Sequence, residues 1–204
     1  MRPFLILCEK YPGYTTLDAV EYARSHYYTQ KDIQKFLDSF SVFLGIDDVH
    51  VVAGFFLSAL INECKQDNLV LSVKNAPGIS VLGYRNTRNF TINGDVGDQT
   101  GLDSISGSIT INGNSGLVLG YFMTGGTLTI NGNAGRYLGS HMKGGKITVN
   151  GNTEIETARC MHDGEIMVNG KIESLSVDIR GGNVFQFDCQ IVKNGHEMGQ
   201  IKNK

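Results

Sequence analysis

The sequence predicts a mainly β fold: a right-handed parallel β-helix, wound as a single-stranded solenoid of about six laps, with a small α-helical N-terminal cap. Three observations predict it. The first is a set of residue columns with a 19-residue period: the glycine after Asn at Gly94, Gly113, Gly132, Gly151 and Gly170, then Gly107, Gly126, Gly145 and Gly164, then Met123, Met142 and Met161. The second is a pair of apolar columns in the same phase. One runs Leu71, Phe90, Ile109, Leu128, Ile147, Ile166; the other, two residues later, runs Val73, Ile92, Ile111, Ile130, Val149, Val168. The third is the size of the unit. Nineteen residues are too few for a strand, a full helix and a second strand, which need about thirty. They suit one lap of short strands joined by glycine corners.

Within a lap, Ile109-Thr110-Ile111-Asn112 alternates apolar and polar, the signature of a half-buried strand. Gly113, Gly116, Gly120, Gly125 and Gly126 then interrupt the chain every few residues, where turns need left-handed backbone or close approach. Each strand pairs in parallel with its equivalent one lap on, about 4.8 Å up the axis. Same-phase residues therefore stack: aliphatic side chains inside, Thr110, Thr129 and Thr148 outside. Asn93, Asn112, Asn131, Asn150 and Asn169 form an amide ladder. One lap alone buries too few side chains to offset the conformational entropy of ordering it, so the repeat is obligatory. The methionine column fills an internal row of the core.

The domain reading is a helical cap or docking unit over 1–66, the β-helix over 67–190 and a polar tail over 191–204. In chain order, residues 3–8 read as a short buried strand ended by Pro12-Gly13. Thr15 and Asp18 stand at capping-box spacing before a helix running to about His26. Thr29 precedes a second helix whose stripe is Ile33, Phe36, Leu37, Phe40, Phe43 and Leu44, stopped at Gly45. Asp47 and Asp48 supply an N-cap and a first-turn acid for a third helix to about Lys65, with Val52, Phe55, Phe56, Ala59 and Leu60 on its stripe. An open solenoid end exposes unpaired backbone. The helical unit is read as the cover of the first lap, with docking or oligomer contact as the alternative.

Composition bounds the function. The net charge is −2, which argues against nucleic acid as a partner. No stretch reaches eighteen apolar residues, so no membrane partner is expected, and Phe4–Cys8 is too short an apolar run for a signal peptide. Cys8, Cys64, Cys160 and Cys189 show neither close pairing nor metal spacing, which reads as a reducing, cytoplasmic setting.

Three sets of polar residues are candidate sites. His141 and Cys160 stack on neighbouring laps above Phe122; both types ligate metals or support nucleophilic catalysis, but no third ligand shares the column. Asp95, Asp98 and Asp103 gather on one loop, a pattern that could hold calcium or act on sugars, without recurring in later laps. Arg136, Arg159, Lys143 and Lys146 could form a mild anion patch. The glycine phrases are not a nucleotide fingerprint, since a strand rather than a helix follows each one. No catalytic residue and no cofactor is assigned.

The phrase Gly113-Asn114-Ser115-Gly116-Leu117-Val118-Leu119-Gly120-Tyr121-Phe122-Met123-Thr124-Gly125-Gly126 recurs at Gly132-Asn133-Ala134-Gly135, Gly139, Met142 and Gly144-Gly145. It resembles the glycine-patterned β-helix at the C-terminus of the glutamate synthase large subunit, and equally the β-helical subunit of formylmethanofuran dehydrogenase. The resemblance spans roughly residues 68–187 and is closest over 107–151. The chain departs from the pattern at both ends: Glu154 and Ala158 replace glycines, Arg180-Gly181-Gly182 arrives one residue early, and Asn75 stands where glycine is expected, although Gly78 stays in phase with Gly97. Residues 1–66 resemble no family. The resemblance implies a structural and interaction subunit, non-catalytic by itself, packed among other subunits of an oxidoreductase-type complex. The alternatives are a stand-alone enzyme of formyl or amido transfer, or of sugar chemistry, with a site on the flank, and a self-assembling homo-oligomer.

Overall fold

The computed structural model describes residues 16–43 and 48–198. The expected strand over 3–8, the capping residue Thr15, the helix stop at Gly45 and Asp47 lie outside the described residues, as do the last six residues of the tail. Helices α1 (Thr16–Ser25), α2 (Gln30–Asp38) and α3 (Val49–Glu63) precede strands β1 (Leu69–Ser72), β2 (Asn89–Asn93), β3 (Ser108–Asn112), β4 (Thr127–Ile130), β5 (Lys143–Val149), β6 (Asp163–Val168), β7 (Asn183–Gln186), β8 (Cys189–Lys193) and β9 (His196–Glu197). The strands form one sheet in sequence order. Pairing is parallel from β1 to β7 and antiparallel from β7 to β9. The chain is thus a parallel β-helix of about six turns with a small helical N-terminal part.

The apolar columns are the core. Ile109 pairs with Leu128, Leu128 with Ile147 and Ile147 with Ile166, all buried. Met123, Met142 and Met161 have no exposed surface. The asparagine ladder joins every lap from β2 to β6: each Nδ2 donates to the Oδ1 one lap below, at 2.8 Å from Asn112, 2.6 Å from Asn131, 2.6 Å from Asn150 and 2.8 Å from Asn169.

The corners achieve pairing without strands. In one lap Val118, Gly120 and Phe122 are left-handed (φ 59, 68 and 54), alternating with ordinary residues. The alternation points successive N–H groups up and down the axis: Val118 N donates to Arg136 O at 2.8 Å, Gly120 N to Thr100 O at 2.9 Å, and Phe122 N to Ser140 O at 3.2 Å. This corner is therefore bonded to both neighbouring laps, which satisfies buried backbone that a plain turn would orphan. Glycine suits the middle position for a second reason, because Ile147 Cδ1 lies 2.5 Å from where a Gly120 Cβ would be.

The first lap departs from the expected phase. Leu69, not Leu71, pairs with Phe90, and Leu71, not Val73, pairs with Ile92. The lap from Leu69 to Phe90 therefore holds 21 residues rather than 19. The extra residues fall around Pro77-Gly78, a turn with open space at Gly78. At the other end Ile166 pairs with Val184, an 18-residue lap, which accounts for the early Arg180-Gly181-Gly182.

The helices meet the first lap through side-chain amides. Gln30 Oε1 accepts from Val70 N at 2.9 Å; Gln34 Oε1 accepts from Ser72 N at 2.8 Å while its Nε2 donates to Ser72 O at 3.0 Å. Four residues apart on α2, the two glutamines lie on one face and act as a substitute strand for β1. On α3, buried Ser58 Oγ accepts from Gly83 N (2.9 Å) and Tyr84 N (3.1 Å), and Asn62 Oδ1 accepts from Thr87 N (3.2 Å). Gly54 is glycine because a Cβ there would strike Ser80 O.

Local signals inside the helical unit were only partly legible. Thr29 and Asp32 form a full capping box at the start of α2. That helix ends at Asp38, and Phe40–Phe43 continues as a 3₁₀ turn rather than the same helix. Asp48 stands at the N-cap of α3 but is left-handed (φ 56) and makes no side-chain cap bond, contrary to the expected acid cap. The tail expected over 191–204 also differs: β8 and β9 carry the sheet on to Glu197, with Val192 fully buried against Val184. Two-residue left-handed turns make both reversals, Phe187-Asp188 (φ 47 and 61) before β8 and Asn194-Gly195 (φ 49 and 78) before β9.

Candidate functional site

The corner that carries His141 and Cys160 is the richest in chemistry. Asp103, Phe122, His141 and Cys160 occupy the same left-handed position on successive laps (φ 53, 54, 55 and 51). His141 N donates to Arg159 O at 2.8 Å, which fixes the backbone. The imidazole lies 5.1 Å from the Phe122 ring and meets Tyr121 edge-on at 5.5 Å. Lys143 Nζ sits 5.5 Å above Phe122, and the Arg159 guanidinium 5.5 Å from the Tyr137 ring. Arg180 Nη1 approaches His162 Nε2 at 3.3 Å. Burial holds the His141 pKa below the usual imidazole value, and the charges of Arg180, His162, Arg159 and Lys143 push it the same way. Cys160 is buried at 8% exposure. The corner thus offers a neutral imidazole, a shielded thiol and a modest positive field over aromatic rings, suited to attracting an anion weakly. Among the described residues, no group of three or more His, Cys, Asp or Glu side chains could hold a metal ion.

The other expected sets do not assemble. Arg136 pairs with Glu154 at 3.3 Å and Lys146 with Glu165 at 2.6 Å, so of the four expected cations only Lys143 and Arg159 join the His141 corner. The three aspartates bond separately along the axis. Asp95 Oδ1 accepts from Asn114 N at 2.6 Å, Asp98 Oδ1 accepts from Leu117 N at 2.7 Å, and Asp103 pairs with Arg85 at 3.5 Å.

Asp95 begins a second polar ladder. Asn114 Oδ1 accepts from Asn133 N, Asn133 Oδ1 from Asn152 N and Asn152 Oδ1 from Lys171 N, each at 2.8 Å. These side chains line a shallow groove of about 480 Å³ with Ser115, Thr153 and Glu154. Ser115 Oγ is buried there without a hydrogen-bond partner among the described residues. The signal for this ladder is in the sequence, since Asp95, Asn114, Asn133 and Asn152 share the 19-residue phase, one residue after the glycine column.

The glycine columns sit where laps press together. A Cβ on Gly113, Gly132, Gly151 or Gly170 would strike the carbonyl of the preceding glycine in the column. Gly107, Gly126, Gly145 and Gly164 are left-handed as well.

Together these features define the class: a single-wound parallel β-helix whose wall side chains bond chiefly to the lap beside them. No protein-family model matches the chain, and no curated protein matches it significantly in sequence. Among the described residues, no helix is long and apolar enough to cross a membrane.

Proposed function

We propose that this chain is a non-catalytic structural and interaction subunit that scaffolds a larger, oxidoreductase-type cytoplasmic complex. One observation carries the reading. Outside the His141 corner, the polar groups that could have converged on a substrate are engaged between laps: Asp95, Asp98, Asn114, Asn133 and Asn152 through backbone N–H groups, and Arg136 and Lys146 through ion pairs. The glycine phrases support the oxidoreductase setting by their resemblance to the β-helices of glutamate synthase and formylmethanofuran dehydrogenase. The partners are other protein subunits rather than nucleic acid or membrane, in keeping with a net charge of −2. The test is to tag the chain in its native host, purify it under mild conditions and weigh what it brings down. Stoichiometric catalytic subunits whose assembly fails when the chain is deleted are the expected result. Unaided turnover of formyl or glutamine substrates by the purified chain overturns it.

A second reading, an enzyme, is favoured by the His141 corner, where a neutral imidazole stands one lap from a buried thiol. Cys160→Ala separates the two readings, because it abolishes turnover only if that thiol is the nucleophile.

A further inference from the structure

The two ends of the coil are closed differently. At the first lap, Gln30, Gln34, Ser58 and Asn62 bond the exposed backbone. At the last lap, β8 and β9 continue only the sheet wall, and the corner over 171–180 lies open among the described residues. In the laps below, the equivalent N–H groups donate upward: Ala134 N to Asn152 O and Thr153 N to Lys171 O, both at 2.9 Å. Among the described residues, the next in that series, Ile172 N, donates to nothing, and neither do the N–H groups of Ser174, Leu175, Val177 and Ile179.

The side chains repeat the pattern. Ala134, Thr153 and Thr157 are 2%, 4% and 0% exposed. Ile172, Leu175 and Ile179 at the rim are only partly buried, and Val177 is 91% exposed. The rim is therefore an apolar edge with free donors, the kind of surface that accepts an added strand. Its charges run Lys171, Glu173, Asp178, Arg180, basic at both ends and acidic between.

A second coil has no bare first lap to offer this rim. The first lap of another copy is covered by its helices, and here β8 and β9 stand beside the rim, with Gly195 N bonded to Gly182 O at 3.0 Å. What remains open is a shelf formed by the backbone of the single corner over 171–180. We infer that the rim over 171–180 is a docking edge for a single extended segment of a partner subunit, one with basic residues at its centre, acidic residues towards its ends and apolar side chains between them. The segment would take up the free N–H groups and cover Ile172, Leu175 and Val177. This inference rests on the scaffold reading, because it supplies the place where the partner binds.

The test uses the native complex and the isolated chain, with hydrogen exchange read at the amides of Ile172, Ser174, Leu175, Val177 and Ile179. These amides are expected to exchange freely in the isolated chain and at least tenfold more slowly in the complex. Val177→Asp, at a side chain too exposed to disturb folding, is expected to weaken partner binding tenfold or more. A complex in which the rim amides stay fast and Val177→Asp binds normally overturns the docking edge and leaves the scaffold reading intact. Slow rim amides in the isolated chain also overturn it, since the shelf is then filled by the chain itself or by a second copy. A chain that forms no complex removes both conclusions.

Discussion

Met123 Cε lies 2.8 Å from the position that a Cβ on Gly145 would occupy. The same contact recurs one lap on, where Met142 Cε lies 2.7 Å from the equivalent point on Gly164. The methionine and glycine columns are thus one feature, a flexible thioether laid in the hollow left by a missing side chain.

Gly145→Ala should destabilise the chain by about 2 kcal/mol, from the methyl clash together with a left-handed backbone. Met123→Ala should cost about 3 kcal/mol by leaving a cavity. The two changes share one space, so the double variant should lose about 1 kcal/mol less than the sum. Urea unfolding of the four proteins tests the coupling; strict additivity would mean that the two columns pack independently.

Gly132→Val should cost about 3 kcal/mol or more, because its Cβ would stand 2.5 Å from both Gly113 O and Asn114 Oδ1. Gly78→Ala is the control. Gly78 is left-handed (φ 74) but has nothing within 4 Å, so only backbone strain of about 1 kcal/mol opposes the change. Similar midpoints for the two variants would show that lap spacing is not what excludes a side chain at Gly132.

Gln34→Ala removes both hydrogen bonds to Ser72. A loss of about 2 kcal/mol is expected, with faster aggregation on heating because the edge of β1 is laid bare. Light scattering during a thermal ramp reads both effects. Unchanged scattering with a lowered midpoint would separate the stabilising role of Gln34 from edge protection.

The depressed pKa of His141 has a consequence for stability. Unfolded, its imidazole takes up a proton near pH 6.5; folded, it does so at a lower pH, because burial and the charges of Arg180, His162, Arg159 and Lys143 oppose the cation. Below about pH 6.5 the unfolded state therefore binds more protons, and stability falls as pH drops towards the folded value. Asn tolerates the left-handed backbone, so His141→Asn should keep the fold and reduce the loss of Tm between about pH 7.5 and 5.5. An unchanged pH slope would assign the acid sensitivity to other groups.

The asparagine ladder, the methionine row and the strand-and-corner lap were all readable from residue spacing, because stacking one lap on another turns a period in sequence into a line in space. Phase was lost where the period changes, at the 21-residue first lap and the 18-residue last one. The corner conformation was not readable, since Val118, Phe122 and Tyr137 are left-handed against their own preference. Inter-lap hydrogen bonds impose it.

The candidate sites show the same division. Their residues could be named from the sequence, but whether Asp95, Asp98 and Asp103 gather or separate depends on where each corner points its side chains. Periodicity alone determined the coil and its core, because identical neighbours one lap apart must share an environment. Only the tertiary structure decided how each end is finished. The helices close one mouth with glutamine amides, and among the described residues a reversed hairpin leaves the other mouth half open. A terminal lap has a neighbour on one side only, and no repeat specifies what stands on the other.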